Sequence, residues 1–274
     1  MHPIDRHLIA VDLDDTILSG LFSLNVDSVW KLIDLRDKGH IVMIATARPT
    51  CMALPYHRIM GLNALLSTVN GNYLFHPDDA AFPMIRHEIS EERADAILRT
   101  VEELKLLSPW MQSDDSVWTT DAPLPYPYFR LMFSQCNTQK VGRLPVQRCG
   151  RIFAMAQDAE TANEVMRRFD GLSDLTCSAY PNKYGAYSVS FCASTADKWH
   201  TVREAAEYYN IDPQNIWCFG DQNNDRMMIT NAHHGYVMKN GNPDLIRDMA
   251  ALGKGVTRLP CDEGGVGDIL SQLL

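Results

Sequence analysis

The 274-residue sequence is poor in the features that would assign it to a membrane, a nucleic acid or an oxidising compartment. No apolar run approaches the roughly 20 residues that a membrane-spanning helix needs. The first run, HLIAV at 7–11, is broken at once by Asp12. Met1–His7 is polar, so no charged-then-apolar leader is expected. Basic residues are few: 25 Lys and Arg stand against 34 Asp and Glu, a formal charge of −9. That argues against nucleic acid or an anionic membrane surface, which call for a basic face. Cysteine is sparse and badly spaced. The seven (Cys51, Cys136, Cys149, Cys177, Cys192, Cys218 and Cys261) are odd in number and form no CxxC pair. Reduced thiols in a cytoplasmic protein are expected rather than a disulfide framework or a zinc site. There is no internal repeat and no low-complexity tract.

What remains is an ordinary globular composition, 46% hydrophobic and 22% charged, with room for one large domain or two modest ones. The N-terminal part alternates apolar strands (His7–Leu13, His40–Thr46, Leu65–Val69) with helical patterns (Val26–Lys38, Pro49–Gly61). The C-terminal part does the same. Helices are read over Ala196–Tyr209, Asn223–Thr230 and Asn242–Ala251, with a last one from Gly265. Strands are read over Asn215–Phe219, Gly235–Met238 and Gly255–Thr257. Continuous apolar strands alternating with helices predict a parallel sheet covered on both faces, an α/β, Rossmann-like core. The middle differs. Tyr128–Phe133, Arg151–Ala156 and Tyr187–Phe191 alternate more, and helical patterns at Ser90–Leu107 and Ala159–Phe169 sit among prolines and glycines. An α+β domain inserted at 83–191 into a discontinuous core, 1–82 and 192–274, is expected.

The stretch VDLDDTIL at 11–18 ends a buried strand in three acids, Asp12, Asp14 and Asp15. Like charges this close repel, and burying them is costly without a compensating cation. In an open parallel sheet, ligands bind at the carboxyl ends of the strands. Other polar groups fall at such ends: Thr46-Ala47-Arg48, Asn70-Gly71, and GDQNND from Gly220 to Asp225, with Lys198 opening the helix before that strand. Carboxylates, hydroxyl and amide donors and cations together suit Mg²⁺ plus a phosphate.

DLDDT, IATAR, Lys198 and GDQNND, in that order, resemble the haloacid dehalogenase (HAD) superfamily of phosphohydrolases. TVNG at 68–71, the insertion, and the NGNPDLIRDMA and DEGGV segments resemble its Cof-type branch, which carries a class II, subtype B cap. The resemblance implies Asp12 as nucleophile and Asp14 as general acid/base. It implies Thr46, Lys198, Asn70 and Asn224 around the phosphate, and Asp12, Asp14, Asp221 and Asp225 around Mg²⁺. Arg48 is a candidate for the substrate's leaving group, and Asp15, where glycine is common in the family, is expected to shape a turn. The implied activity is Mg²⁺-dependent hydrolysis of a small phosphorylated metabolite, a sugar phosphate or cofactor phosphate, through an aspartyl-phosphate. The rival readings are a phosphotransferase or phosphomutase, a phospho-aspartate regulatory or binding protein, and an idle relative used as a scaffold. Asp14 favours phosphoryl transfer over dehalogenation, because an expelled halide needs no proton. In the inserted domain Tyr180, Asn182, Lys183, Tyr184 and Tyr187 form a polar-aromatic cluster, for which an ordinary loop and strand is the simpler reading. His233-His234 has no further ligand at metal spacing. Monomer and homodimer are both left open.

Overall fold

A computed structural model describes residues 6–20, 22–120, 130, 134–182 and 185–273. The chain divides into two compact units: Met1–Ala47, Ala53–Met84 and Asp197–Leu274 form the first, and Arg48–Met52 and Ile85–Ala196 the second.

The first unit opens with β1 (Leu8–Val11), a short hairpin of β2 (Leu18–Ser19) and β3 (Ser23–Leu24), and helix α1 (Val26–Asp37). β4 (Ile41–Ala45), α2 (Thr50–Ile59, whose first turn belongs to the second unit), β5 (Leu66–Thr68) and β6 (Tyr73–Phe75) follow. Every residue of β1 and β4 is buried. Such strands need cover on both faces, which is why LIAV and IVMIA read as continuous apolar runs. α1 starts where the Asn25 side chain accepts the Ser28 N–H, satisfying a donor that the first turn leaves without a partner. It ends before Gly39, whose φ of 95° a residue with a side chain would resist. Its inner face carries Val29, Leu32 and Leu35 into a core with Ile9, Val11, Val42, Ile44 and Phe219.

The second unit contains β7 (Ile85–Arg86), α3 (Glu91–Glu103), β8 (Leu107–Ser113), β9 (Ser116–Thr119), β10 (Asn137–Lys140), β11 (Arg151–Ala156), α4 (Ala159–Arg168), β12 (Leu175–Pro181) and β13 (Tyr187–Ala193). Its sheet has the order β10-β9-β8-β11-β13-β12, antiparallel except for β10 with β9. Alternate residues divide its faces. Ile152, Ala154, Val189 and Phe191 pack with Ile97 and Val101 of α3 and Val165 of α4. Trp110, Phe153 and Met155 point the other way and pack with Met52.

The chain then returns to the first unit with α5 (Lys198–Tyr209), β14 (Ile216–Gly220), α6 (Arg226–Asn231), β15 (His234–Val237), α7 (Pro243–Ala251), β16 (Gly255–Val256) and α8 (Gly265–Leu270). The first unit's strands lie in the order β16-β15-β14-β1-β4-β5-β6, parallel except for β6 against β5. This is the expected α/β parallel-sheet core.

Several elements differ from the sequence reading. The helix expected over Ser90–Leu107 stops at Glu103, because Lys105 takes a left-handed φ of 51° and Leu107 begins a strand. β8, β9 and β12 were not expected: Pro109 and many polar residues mask their alternation. The expected helix over Asn223–Thr230 is a 3₁₀ turn, Asn223–Asp225, running into α6. Apart from Arg130, the Tyr128–Phe133 run lies outside the described residues, as do Lys183 and Tyr184. No helix among the described residues is long and apolar enough to cross a membrane.

Close packing of α6 on β15 depends on Gly235, where an added Cβ would fall 1.9 Å from the Ile229 carbonyl oxygen. Gly235→Ala is expected to destabilise the chain by about 1–3 kcal/mol, as overpacking does. Urea unfolding measures it, and an unchanged midpoint would contradict this packing.

Candidate active site

The parallel registers carry the sequence-predicted groups to one sheet edge. Val11 of β1 lies beside Ile44 of β4 and Phe219 of β14. Asp12, Thr46 and Asp221 therefore leave the carboxyl ends of three adjacent strands. The Asp12 N–H donates to the Phe219 carbonyl at 3.0 Å, continuing the ladder one residue into the site. Asp12, Thr46, Lys198, Asp221 and Asp225 are all buried.

Lys198 sits at the start of α5, behind an Asp197 N-cap whose side chain accepts the His200 N–H. Its Nζ donates to Asp12 Oδ1 at 2.7 Å and to Asp225 Oδ1 at 2.5 Å. Asp225 Oδ2 accepts the backbone N–H groups of Asp221 (2.9 Å) and Gln222 (3.0 Å). Asp225 is thus the anchor that fixes the GDQNND turn to the lysine. The Gln222 side chain in turn donates to Asp221 Oδ2 at 3.0 Å. Two glycines permit this closeness. A Cβ on Gly71 would fall 2.2 Å from the Asp197 carbonyl oxygen, and one on Gly220 would fall 2.4 Å from Asp225 Cβ.

The electrostatics follow from burial. Ligand oxygens of Asp12, Asp221 and Asp225 lie within 4.8 Å of one another. Fully ionised, these three carboxylates and one ammonium leave two negative charges uncompensated in a buried place. Burial pushes the Asp12 carboxyl up to about 7 against the pull of Lys198, and Asp225 adds to the rise. Burial, then repulsion from Asp12 and Asp225, pushes Asp221 up to about 8. Burial by itself disfavours the Lys198 ammonium, but Asp12 and Asp225 together overcome it and raise its affinity for the proton. An oxygen-only donor set with this excess charge fits a hard divalent cation.

The other sequence-predicted residues are placed as follows. Asp14 is half-buried in the turn after β1, its backbone bridged to Leu18. Asp15 is exposed with φ 53°, so it holds the left-handed turn position expected of it. The Thr46 N–H donates to the Ser67 carbonyl, and the Thr46 carbonyl accepts the Asn70 N–H at 2.9 Å. Asn224 Nδ2 donates to Asn70 Oδ1 at 2.9 Å, joining two residues expected around the phosphate. Val69, Asn70 and Gly71 all have positive φ. Such strain in the β-branched Val69 is rare outside functional loops. Arg48 is buried and belongs to the second unit.

Three supports were not read from the sequence: Gln222, the close approach at Gly71, and Asn240, whose Nδ2 donates to the Asp15 carbonyl at 2.8 Å. Gln222 lay inside a recognised motif. Asn240 is 225 positions from Asp15 in the chain, so nothing local could have marked it.

Residues 9–270 match the haloacid dehalogenase-like hydrolase family. The chain belongs to that family, and within it to the Cof-type branch. It is 24% identical over 272 residues to the 5-amino-6-(5-phospho-D-ribitylamino)uracil phosphatase YitU of Bacillus subtilis (strain 168), covering 97% of both chains. It is 23% identical over 244 residues to the HMP-PP phosphatase of Serratia proteamaculans (strain 568), covering 87% of this chain and 85% of that one. Its fold matches a solved HAD subclass IIB sugar phosphatase with a TM-score of 0.75 at 19% identity, covering 97% of this chain and 98% of the other.

The raised Asp12 and Asp221 values carry a pH prediction. Between the ordinary value of 3.8 and these raised values, the metal-free folded chain binds more protons than the unfolded one. These two groups therefore cost stability as pH rises through that window. In chelator, the Tm is expected to fall between about pH 5 and about pH 8, and Asp221→Asn is expected to flatten the fall. Mg²⁺ should raise Tm most at the upper end. A metal-free Tm that is level or rising across the window in thermal melts would contradict this electrostatic picture.

Proposed function

We propose that this chain is a Mg²⁺-dependent phosphatase that hydrolyses a small phosphorylated metabolite through an aspartyl-phosphate on Asp12. The observation that carries the reading is the buried Asp12–Lys198–Asp225 chain with Asp221 beside it, at the carboxyl edge of a parallel sheet. Named relatives act as phosphatases on a ribitylaminouracil phosphate and on HMP-PP, which supports a small metabolite as substrate. The second unit, Arg48–Met52 and Ile85–Ala196, is read as the cap that selects the leaving group.

In this reading a carboxylate oxygen of Asp12 attacks phosphorus and the ester oxygen leaves. Asp14, one turn residue away, gives that oxygen its proton. As a carboxylate, Asp14 then takes a proton from water, which attacks the phosphorus of the acyl phosphate and frees Asp12 and inorganic phosphate. Lys198 and Thr46 hold the transferring oxygens, and Lys198 also keeps Asp12 oriented. Asp12, Asp221 and the backbone of Asp14 would hold Mg²⁺, with Asp225 acting through Lys198 and the 221–222 backbone. When bound, the ion supplies positive charge that offsets the crowded carboxylates and the phosphoryl oxygens.

Two substitutions test these roles on a panel of phosphate monoesters, with phosphate release as the readout. Asp12→Asn is expected to lower kcat/KM by a factor on the order of 10³ or more while the fold is kept. Asp14→Asn is expected to lower kcat by roughly 10²–10⁴, the usual contribution of acid/base transfer. Turnover near that of the parent in either variant removes that residue from its role. Phosphate appearing on a sugar acceptor, without equivalent inorganic phosphate, would point to a phosphotransferase instead.

A further inference from the structure

Asn240 lies in the loop after β15, and its side chain is used at both ends. Nδ2 donates to the Asp15 carbonyl at 2.8 Å, and Oδ1 accepts the Cys261 N–H at 2.8 Å. The same loop braces the other acidic turn. The Asn242 N–H donates to the Asp221 carbonyl at 2.8 Å, and a Cβ on Gly241 would fall 2.8 Å from that oxygen. One loop therefore grips the backbone of two turns that bring acids to the site, although no side chain of the loop is among those acids. Asp15 is the left-handed residue that reverses the chain after Asp14. Its carbonyl has a side-chain donor only in Asn240 among the hydrogen bonds described.

We propose that Asn240 is a positioning residue of the reaction: it fixes the Asp14–Asp15 backbone so that the Asp14 carboxyl meets the leaving oxygen. The inference rests on the reading of Asp12 and Asp14 given above. A carboxyl displaced by a fraction of an ångström loses much of its benefit in proton transfer, while ground-state binding is little changed. Asn240→Asp is the sharp test. It keeps the acceptor for the Cys261 N–H but replaces the donor with an oxygen that repels the Asp15 carbonyl. The expected result is a kcat lower by roughly tenfold to a hundredfold, the range seen when supporting contacts are lost. KM should stay within about twofold, and Tm should stay near that of the parent. A kcat within about twofold of the parent overturns the proposal. If Asn240→Asp does not fold, Asn240→Ala, which adds no repulsion, is judged by the same split of kcat from KM. Asp12→Asn measured in parallel separates the failures. If it is inactive while Asn240 variants are normal, only the positioning role falls; if it is active, the underlying reading falls.

A separate observation concerns the second unit. Cys51 Sγ and Cys136 Sγ are 3.5 Å apart and half-buried, 85 positions apart in the chain. The Cys51 backbone is held locally, since Asp115 Oδ1 accepts the Cys51 N–H at 2.6 Å, and beside Cys136 the Asn137 N–H donates to the Asp115 carbonyl at 2.8 Å. The geometry points to a reversible modification site here, at which hydrogen peroxide converts the two thiols to a disulfide. Either sulfur can open the sequence, Cys136 for example. Its sulfur takes one peroxide oxygen as a sulfenic acid and the remaining hydroxyl leaves as water. Cys51 sulfur then displaces the sulfenic oxygen as a second water, forming the S–S bond. Two thiols lose two electrons and the O–O bond gains them. Peptide mapping of the full chain under non-reducing conditions, after hydrogen peroxide and then after dithiothreitol, tests this. A Cys51–Cys136 cross-link that dithiothreitol removes is expected, and it should be absent from Cys136→Ser. Oxidised chain in which both cysteines still react with a thiol label overturns it. If Cys136→Ser does not fold, Cys51→Ser serves as the control.

Discussion

Everything at the sheet edge depends on one buried cation. Lys198 is almost wholly removed from solvent and spans Asp12 and Asp225. A buried ammonium is stable only when paired, and buried carboxylates only when paired or coordinated. This mutual requirement joins the residue that follows the first strand to one that begins a helix 186 positions later. It also decides which residues must be small. Gly71 lets the start of α5 approach, and Gly220 makes space for Asp225. The pair alone does not balance the site, since Asp221 adds a third buried acid. The imbalance is relieved either by protons, which the raised Asp12 and Asp221 values describe, or by a cation that completes the site, and phosphoryl transfer is a reaction that such a cation serves.

Much of this was legible because the motif residues are local to strand ends. DLDDT, TAR and GDQNND each follow an apolar run, and a parallel sheet must bring the ends of its strands to one edge. Asp15 was readable for the same reason: an acid tolerates the left-handed turn better than most residues, and it takes that position with φ 53°. Spacing to GDQNND promoted Lys198 from a surface helix lysine to a group of the site, and the structure buries it against Asp12 and Asp225.

What was not legible depends on partners far apart in sequence. That Asp225 spends its oxygens on Lys198 and two backbone N–H groups cannot be inferred from NND. Nor can Asn224 reaching Asn70, or Asn240 reaching Asp15. In the second unit, β8 carries Pro109 and Gln112 in a strand whose pattern resembles a loop, and it is pairing with β9 and β11 that defines it. Thr50 and Cys51, read as the start of a core helix, are held by Asp114 and Asp115 of the second unit. Side-chain capping across 64 positions has no local signature.

The central claim is that Asp12 carries the phosphoryl group during turnover. Acid-quenching the Asp14→Asn chain during reaction with a turned-over phosphate monoester, then mapping its peptides by mass spectrometry, reads this directly. Slowed hydrolysis should leave a phosphoryl group on the peptide that contains Asp12, at an acid-stable, hydroxylamine-sensitive carboxyl linkage. Turnover with no labelled carboxyl, or with the label on another residue, would contradict the account.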